Sequence, residues 1–444
     1  MKKYNCVYLL VALLVFSCKP DVEEFKGSSG NANFTTYVAL GNSLTAGYTD
    51  GALYREGQIN SFPNILAKQL DLVVDGNFAF KQPLMPDDLG LGIVSPTILV
   101  NKRVLQPTSD CKGVTSLSPV PAGVITNPTP YISSVYAQGP YHNLGVPGAK
   151  SFHLLTPQFG NPAPNTGNPF YVRFASDPGT STVIGDALAL NPTFFTLWIG
   201  NNDILNYAFA GGESDSITPT TTFAGSIDAI LGNLSNTAMA EGAIANIPDL
   251  LSIPYFNTVP AFGLAITRQG QLDSLKGAYL LQGITNLSFT LGANPFVIED
   301  ADAPSGIRQI KSTEKVLLTI PQDSLKCAGW GSTKPIPDEY ILDESEIAQI
   351  NNAIESYNTT IQTLAAKYTI AFVDMRGVFE ELKTGFSYDG LTLNTTFITG
   401  GAFSLDGIHF TPRGNAIIAN KFIETINAYY GSNIPKVVAS NYRG

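Results

Sequence analysis

Cysteine is scarce in this chain, with four residues in 444. A disulfide-dense scaffold is therefore excluded, and no cysteine–histidine cluster at metal-ligand spacing is present. Histidine is rarer still, at three residues, so any chemistry that needs an imidazole has few candidates. Basic residues number 26 against 36 acidic ones, a formal net charge of −10 at pH 7. Polyphosphate backbones would repel such a surface, so no nucleic-acid partner is expected. Long apolar runs are lacking as well: the N-terminal run Cys6–Phe16 falls well short of the ~20 residues that span a bilayer. No internal repeat of solenoid or propeller period is visible. What the chain does have is 44% hydrophobic residues, enough for a large core, with Gly 41 and Pro 29 marking many turns.

Lys2 and Lys3 precede the short apolar run, and small Ser17 precedes Cys18, as in a secretory signal. The stretch Val15-Phe16-Ser17-Cys18 resembles a bacterial lipobox. That resemblance implies removal of residues 1–17, lipidation of Cys18 and an extracytoplasmic, membrane-anchored product, with the outer membrane the expected host. Asp21, Glu23 and Glu24 look like the acidic signals that send some lipoproteins to the outer cell surface. Residues 18–34, polar and without apolar period, read as a flexible tether. Losing Lys2 and Lys3 leaves 24 basic against 36 acidic residues, a net of −12. Of the cysteines, Cys6 would leave with the signal and Cys18 would carry lipid. Cys111 and Cys327 remain, and could pair in an oxidising compartment; sequence does not decide whether they meet.

Continuous apolar runs at 36–40, 193–199, 242–247 and 369–373 read as strands covered on both faces, with 141–144 a weaker candidate. Between them lie helical patterns. Residues 61–70 open on a serine with Pro63 in the first turn. Residues 343–367 open on acids and repeat apolar side chains at three and four from Ile347 to Leu364. A third helix begins after Thr411 with Pro412 just inside it. Alternating strands and helices predict an α/β domain with a parallel sheet, spanning residues 35–434. Two stretches, at about 81–140 and 255–338, break that rhythm and read as insertions. They would form a cap over a site, a small β-rich subdomain, or packing alone.

Four short motifs fall at predicted strand ends. In "GNSLTAG" Ser43 sits on a turn directly after an apolar strand. In "NLGVPGAKS", residues 143–151, glycines could aim a backbone N–H into a crevice. In "LWIGNNDIL" Gly200 lets the chain turn, and Asn201 or Asn202 offers an amide donor. In "SLDGIHFTPRG" Asp406 and His409 lie three apart before a helix, a spacing at which the carboxylate can fix the ring tautomer and leave the other nitrogen to accept a proton. His142 and His153 have no carboxylate at informative spacing and read as surface or packing residues. Trp198 reads as core, Trp330 as local packing with a ligand contact open, and Asp249 has no evident catalytic duty.

In that order the four motifs resemble the GDSL family of esterases and lipases, also called SGNH hydrolases. The resemblance implies a three-layer α/β/α sandwich with a parallel, flavodoxin-like sheet of about five strands, plus the large insertions. It further implies Ser43 as nucleophile, His409 as general base and Asp406 as its orienting acid. The oxyanion hole would be formed by Ser43, Gly148 and Asn202, with Gly145 and Asn201 as the competing choices. No cofactor and no metal are implied. The expected substrate is a small-molecule ester: a lipid or acyl ester, or an O-acylated glycan. Asn42 departs from the family name, which has aspartate there; that position is outside the triad, and asparagine suits a turn. Two other readings remain: a surface glycan-binding lipoprotein that kept the fold without turnover, and an α/β-hydrolase. The latter is disfavoured because no Gly-x-Ser-x-Gly elbow surrounds Ser43.

Overall fold

Tyr37–Gly41 forms strand β1, buried at all five positions. It lies between β2 (Asn143–Gly145) and β3 (Phe194–Trp198), both parallel to it. β4 (Glu241–Ala245) and β5 (Ala371–Val373) continue the sheet, again parallel, beyond β3. The strand order 2-1-3-4-5 is the flavodoxin-like one, and its switch point falls between β1 and β3. These strands come from a computed structural model, which describes residues 26–74, 76–95, 97–163 and 166–444. The expected signal segment 1–17 and Cys18 lie outside the described residues.

Five main helices flank the sheet: α1 (Phe62–Leu70), α2 (Asn202–Phe209), α3 (Thr220–Leu231), α4 (Glu344–Lys367) and α5 (Pro412–Tyr430). They complete a three-layer α/β/α sandwich. In one layer α1 and α5 meet where Phe62 stacks on Phe422 at 4.9 Å; in the other α3 and α4 meet where Phe223 stacks on Tyr357 at 3.9 Å. The periodic residues of α4 explain its seat. Ile350, Ile354, Tyr357, Ile361 and Leu364 are all buried, each contributing on the order of 1.5–3 kcal/mol. A capping box starts the helix, with Glu346 N–H donating to Asp343 Oδ1 and Asp343 N–H to Glu346 Oε2, both at 2.8 Å. Thr411 caps α5 by accepting from Gly414 N–H at 3.1 Å. Among the described residues no helix is long and apolar enough to cross a membrane.

Three expected boundaries move. Residues 28–34 are not a free tether: Phe34 is buried against Phe194 at 4.8 Å, and Asn31 N–H donates to Tyr430 O. The aromatic ring supplies apolar area that the polar residues around it conceal. At the other end the domain runs past 434, since Ala439 is fully buried and Arg413 N–H donates to the Arg443 carbonyl. Pro254–Phe256 belongs to the main core, and the second insertion extends instead to the pairing of Lys315–Val316 with Ile341–Leu342.

Both insertions are β-rich. The first holds two antiparallel hairpins, 92–100 and 103–121. The second pairs residues 264–266 with 292–294 and 297–299 with 307–309, adds a helix Gln269–Leu281, and buries small apolar clusters of its own around Phe296 and Leu272. Cys111 of the first insertion is disulfide-bonded to Cys327 of the second, 216 residues apart. Beside the bond Lys326 pairs with Asp110 at 3.1 Å. The two insertions are thus one covalently joined unit.

Candidate active site

β1 ends at Gly41, where a side chain would lie 2.5 Å from the Trp198 carbonyl oxygen, so only glycine lets the strand end so close to β3. Asn42 then caps a single helical turn, Ser43–Ala46, its Oδ1 accepting from Leu44 N–H at 3.0 Å. The cap places Ser43 at the carboxyl edge of the sheet, beside the switch point where open α/β sheets bind ligands. Its hydroxyl lies 2.9 Å from Nε2 of His409, and Nδ1 of His409 lies 2.8 Å from Asp406 Oδ2. A carboxylate at Nδ1 holds the ring proton there. Nε2 therefore faces the serine with its lone pair, and the Ser43 hydroxyl donates to it.

Asp406 is surrounded by donors. Oδ1 accepts from Ile408 N–H (2.8 Å), His409 N–H (2.9 Å) and the Ser404 hydroxyl (3.1 Å). Oδ2 accepts from Gly51 N–H at 2.8 Å as well as from the imidazole. Burial alone would raise its pKa. The positive charge available on His409, its ring N–H and these backbone amides outweigh burial and hold the carboxyl well below the usual carboxylate range.

Several positioning residues went unread in the sequence. Asp50, in a left-handed turn with φ 52°, accepts from Leu405 N–H at 3.1 Å and from the Tyr54 hydroxyl at 2.7 Å. Its own N–H donates to Ser404 Oγ, and the Thr49 hydroxyl donates to the Phe410 carbonyl at 2.9 Å. The segment after Ser43 is in this way fastened to the His409 loop on both sides of Asp406. The Tyr48 ring leans against the His409 ring at 4.8 Å. The Asp-Gly dipeptide at 50–51 was the only local signal, and it reads equally well as an ordinary turn.

Gly148 and Asn202 line the same cavity as Ser43 and His409. Among the described residues, the backbone N–H groups of Ser43 and Gly148 have no acceptor within the protein. Asn202 donates one amide hydrogen to Ala149 O at 3.0 Å, which leaves its second hydrogen for a ligand. Asp203, the one acid of that motif, accepts from both Ser151 N–H and the Ser151 hydroxyl at 2.7 Å. Asn202 and Asp203 together clamp the Gly148 loop to the start of α2. Gly145 has a different duty: its N–H donates to Asn143 Oδ1, and a side chain there would lie 2.3 Å from Ala46 N. Asn201 Oδ1 faces Asn42 Nδ2 at 3.5 Å.

The remaining candidates fall away from this cavity. His142 and His153 accept from Lys81 N–H and Lys150 N–H through Nδ1. Burial, then Lys150, lowers His153 to about 4. Trp198 is fully buried, Trp330 packs on Tyr340, and Asp249 pairs with Lys383 at 2.9 Å.

The cavity measures about 380 Å³, toward the small end of the ~300–1,000 Å³ typical of ligand clefts. Leu44, Ile93, Phe170, Leu205, Phe209 and Ile253 give it apolar walls, and among the described residues no Lys, Arg, Asp or Glu lines it. Among the described residues no group of three or more His, Cys, Asp or Glu could hold a metal ion.

A hydroxyl, an imidazole and a carboxylate in sequence, at the carboxyl edge of a flavodoxin-like sheet, form the constellation of a serine hydrolase. Residues 131–422 match the model of the GDSL-like lipase/acylhydrolases, and the chain belongs to that family, whose members are esterases and lipases. The matched span includes Gly148, Asn202, Asp406 and His409 and begins after Ser43, which the fold brings to them. Among solved structures, an α/β hydrolase from the metagenome of Lake Arreo, Spain, is similar at 10% identity and TM-score 0.36, covering 90% of this chain and 97% of its own. An acetyl xylan esterase from Geobacillus stearothermophilus matches at 10% and 0.34, covering 90% and 96%. An extracellular lipase from Streptomyces rimosus matches at 12% and 0.32, covering 88% and 98%. Scores this low carry no weight on substrate. No curated protein matches the sequence.

Proposed function

We propose that this esterase cleaves uncharged carboxylic esters through an acyl-enzyme on Ser43. The carrying observation is the continuous path Ser43–His409–Asp406, with 2.9 Å and 2.8 Å links. A serine hydroxyl is a poor nucleophile unless a base takes its proton as it attacks. Nε2 of His409 accepts that proton while Ser43 Oγ bonds to the ester carbon. Asp406 stabilises the resulting imidazolium and keeps its orientation. Negative charge moving to the former carbonyl oxygen meets Ser43 N–H, Gly148 N–H and the free Asn202 amide hydrogen, each such donor typically being worth about 2.7–4 kcal/mol of barrier. The imidazolium then protonates the departing alcohol. Water, deprotonated by the same ring, attacks the acyl carbon and returns Ser43 to its starting state.

Cavity lining supports a substrate with an apolar acyl or aryl group rather than an acetylated sugar. A sugar buries many hydroxyls and needs polar partners for them. Here most of the lining is aliphatic or aromatic; of its five asparagines, Asn42 caps Leu44, Asn202 donates to Ala149, Asn168 is engaged by Pro147, Phe170 and Tyr171, and Asn201 and Asn206 complete the set. A glycan-binding protein without turnover would have no use for a base held against a serine. The lipobox-like Val15–Cys18 supports a lipid-anchored, extracytoplasmic enzyme. Labelling with a fluorophosphonate, followed by peptide mapping, tests the mechanism: the adduct belongs on Ser43. A panel of p-nitrophenyl esters tests the substrate class, with butyrate and hexanoate expected to exceed acetate in kcat/KM. Labelling elsewhere, or no turnover of any ester, would reject the reading.

A further inference from the structure

Large apolar side chains left in solvent are unevenly placed. Among the described residues about half of them lie between positions 84 and 136. Val94 is 61% exposed, Ile98 47%, Leu117 63% and Val124 69%. All four stand on residues 92–125. There the strand 92–95 pairs with 98–100, Val100 bridges to Val124, and the hairpin 103–121 continues outward. On that hairpin Leu105 faces Pro119 and Pro107 faces Leu117 across the strands, an apolar face with nothing packed on it. Soluble proteins scatter exposed apolar residues singly; a concentration of this kind marks a contact surface. Ile93, on the same strand as Val94, is itself 40% exposed and also lines the cavity at Ser43. The exposed strip therefore borders the substrate cavity at Ile93.

Charge says what the strip meets. The chain as a whole carries −10, yet residues 92–125 hold Lys102, Arg103 and Lys112 against Asp110 alone, and Asp110 is paired with Lys326. At the foot of the hairpin a second cavity, of about 340 Å³, is lined by Lys102, Arg103 and Arg443, with Leu105 and Ile398 as apolar walls. Its one acidic side chain, Asp50, accepts from Tyr54 and Leu405, and Arg443 is paired with Glu56 at 3.4 Å, an exposed pair that an anionic headgroup would have to displace. An apolar strip beside a cationic pocket suits acyl chains beside an anionic headgroup. A second copy presenting the same strip would set its own Lys102 and Arg103 against these, like charge facing like.

We propose that residues 92–95 and 97–125 dock the enzyme on an anionic lipid surface, with Val94, Ile98, Leu117 and Val124 entering the acyl boundary and Lys102, Arg103 and Arg443 taking a headgroup. This deepens the acyl-ester reading, because docking would deliver a chain from the lipid phase past Ile93 to Ser43. Sedimentation with vesicles needs no turnover, so the two readings can fail separately.

The test uses the chain from Lys19 onward, so that neither the apolar run 6–16 nor an acyl anchor contributes. Vesicles of phosphatidylcholine and phosphatidylglycerol in equal parts should retain it, and pure phosphatidylcholine should retain it less. Val94→Asp with Leu117→Asp should lower partitioning at least about tenfold. Lys102→Gln with Arg443→Gln should remove the preference for phosphatidylglycerol and its salt dependence. Hydrolysis of soluble p-nitrophenyl butyrate should be unchanged in all four positions, which shows the fold intact. Vesicle binding unaltered by these changes, or absent in the parent chain, overturns the proposal. So does a concentration-dependent dimer that Val94→Asp with Leu117→Asp dissolves while vesicles are ignored.

Discussion

The backbone N–H of Gly51 and the imidazole of His409 donate to the same oxygen, Oδ2 of Asp406, each at 2.8 Å. One donor comes from the segment that follows Ser43, the other from the loop that precedes α5, so Asp406 joins the half of the site that holds Ser43 to the half that holds His409. Ser43→Ala and His409→Gln should each lower kcat by roughly 10⁴–10⁶-fold, and Asp406→Asn by about 10⁴-fold, with melting temperatures close to the parent for the first two. Steady-state kinetics on p-nitrophenyl butyrate, beside thermal melts, decides it; full activity of Ser43→Ala would remove the nucleophile assignment.

Asp50 touches no substrate, so its loss should look different. Asp50→Ala frees Leu405 N–H and the Tyr54 hydroxyl and loosens the His409 loop. Expected is a fall in kcat of about 10–100-fold with KM little changed, partly restored in Asp50→Asn, which keeps an acceptor. A change in KM alone would mean that Asp50 does not position the loop.

The proposed oxyanion donors should separate by mechanism. Asn202→Ala removes one donor and a tie to Ala149, so kcat should drop about 10²–10³-fold with a small effect on KM. Gly148→Ala meets little steric hindrance, the nearest atom being Asn168 Nδ2 at 3.7 Å, but φ there is +80°. A side chain at that angle costs roughly 1–2 kcal/mol, and relief of the strain would turn the N–H away. Its activity should fall with Asn202→Ala, its stability only modestly. Asn42→Asp keeps the cap on Leu44 N–H and should stay within about threefold of the parent in kcat, provided the Asn201 amide turns to donate to it.

Removing the bond between Cys111 and Cys327 releases a loop of more than two hundred residues in the unfolded chain. Chain-entropy reasoning gives up to about 5 kcal/mol for a loop of that size. Cys111→Ser should lower the melting temperature clearly, and dithiothreitol should do the same to the parent and nothing further to the variant. Equal melting of both proteins would show that the insertions stand without the link.

Glu346 predicts a pH dependence. Burial first, and then the charges of Asp343, Asp338 and Glu213, against the opposing Asp343 N–H, push its carboxyl up to about 7. Its value in the unfolded chain is about 4.3. A group raised on folding stabilises fully below the unfolded value, and that stability is lost as pH rises through 4.3 toward 7. Glu346→Gln keeps the capping acceptor and cannot ionise. Relative to the parent it should gain roughly 1–3 °C in melting temperature between pH 5 and pH 8. A constant gap across that range would show that Glu346 does not titrate with folding.

Much of this protein was legible in one dimension because the relevant signals are local. Both-face burial makes a parallel strand an unbroken apolar run, so the runs 36–40 and 193–199 stood out; Asp343 with Glu346, and Thr411 with Pro412, mark helix starts within four residues. Ser43, Gly148, Asn202, Asp406 and His409 could be named because each lies in a short motif at a strand end. The fold alone brought together what chain distance hides: Ser43 and His409, 366 residues apart, the Asp50–Ser404–Asp406 fastening, and the covalent union of the two insertions. Those relations depend on which loops a parallel sheet carries to the same edge. Hydrogen bonds between distant segments leave no periodicity in the residues that make them, so only the packed sheet could reveal them.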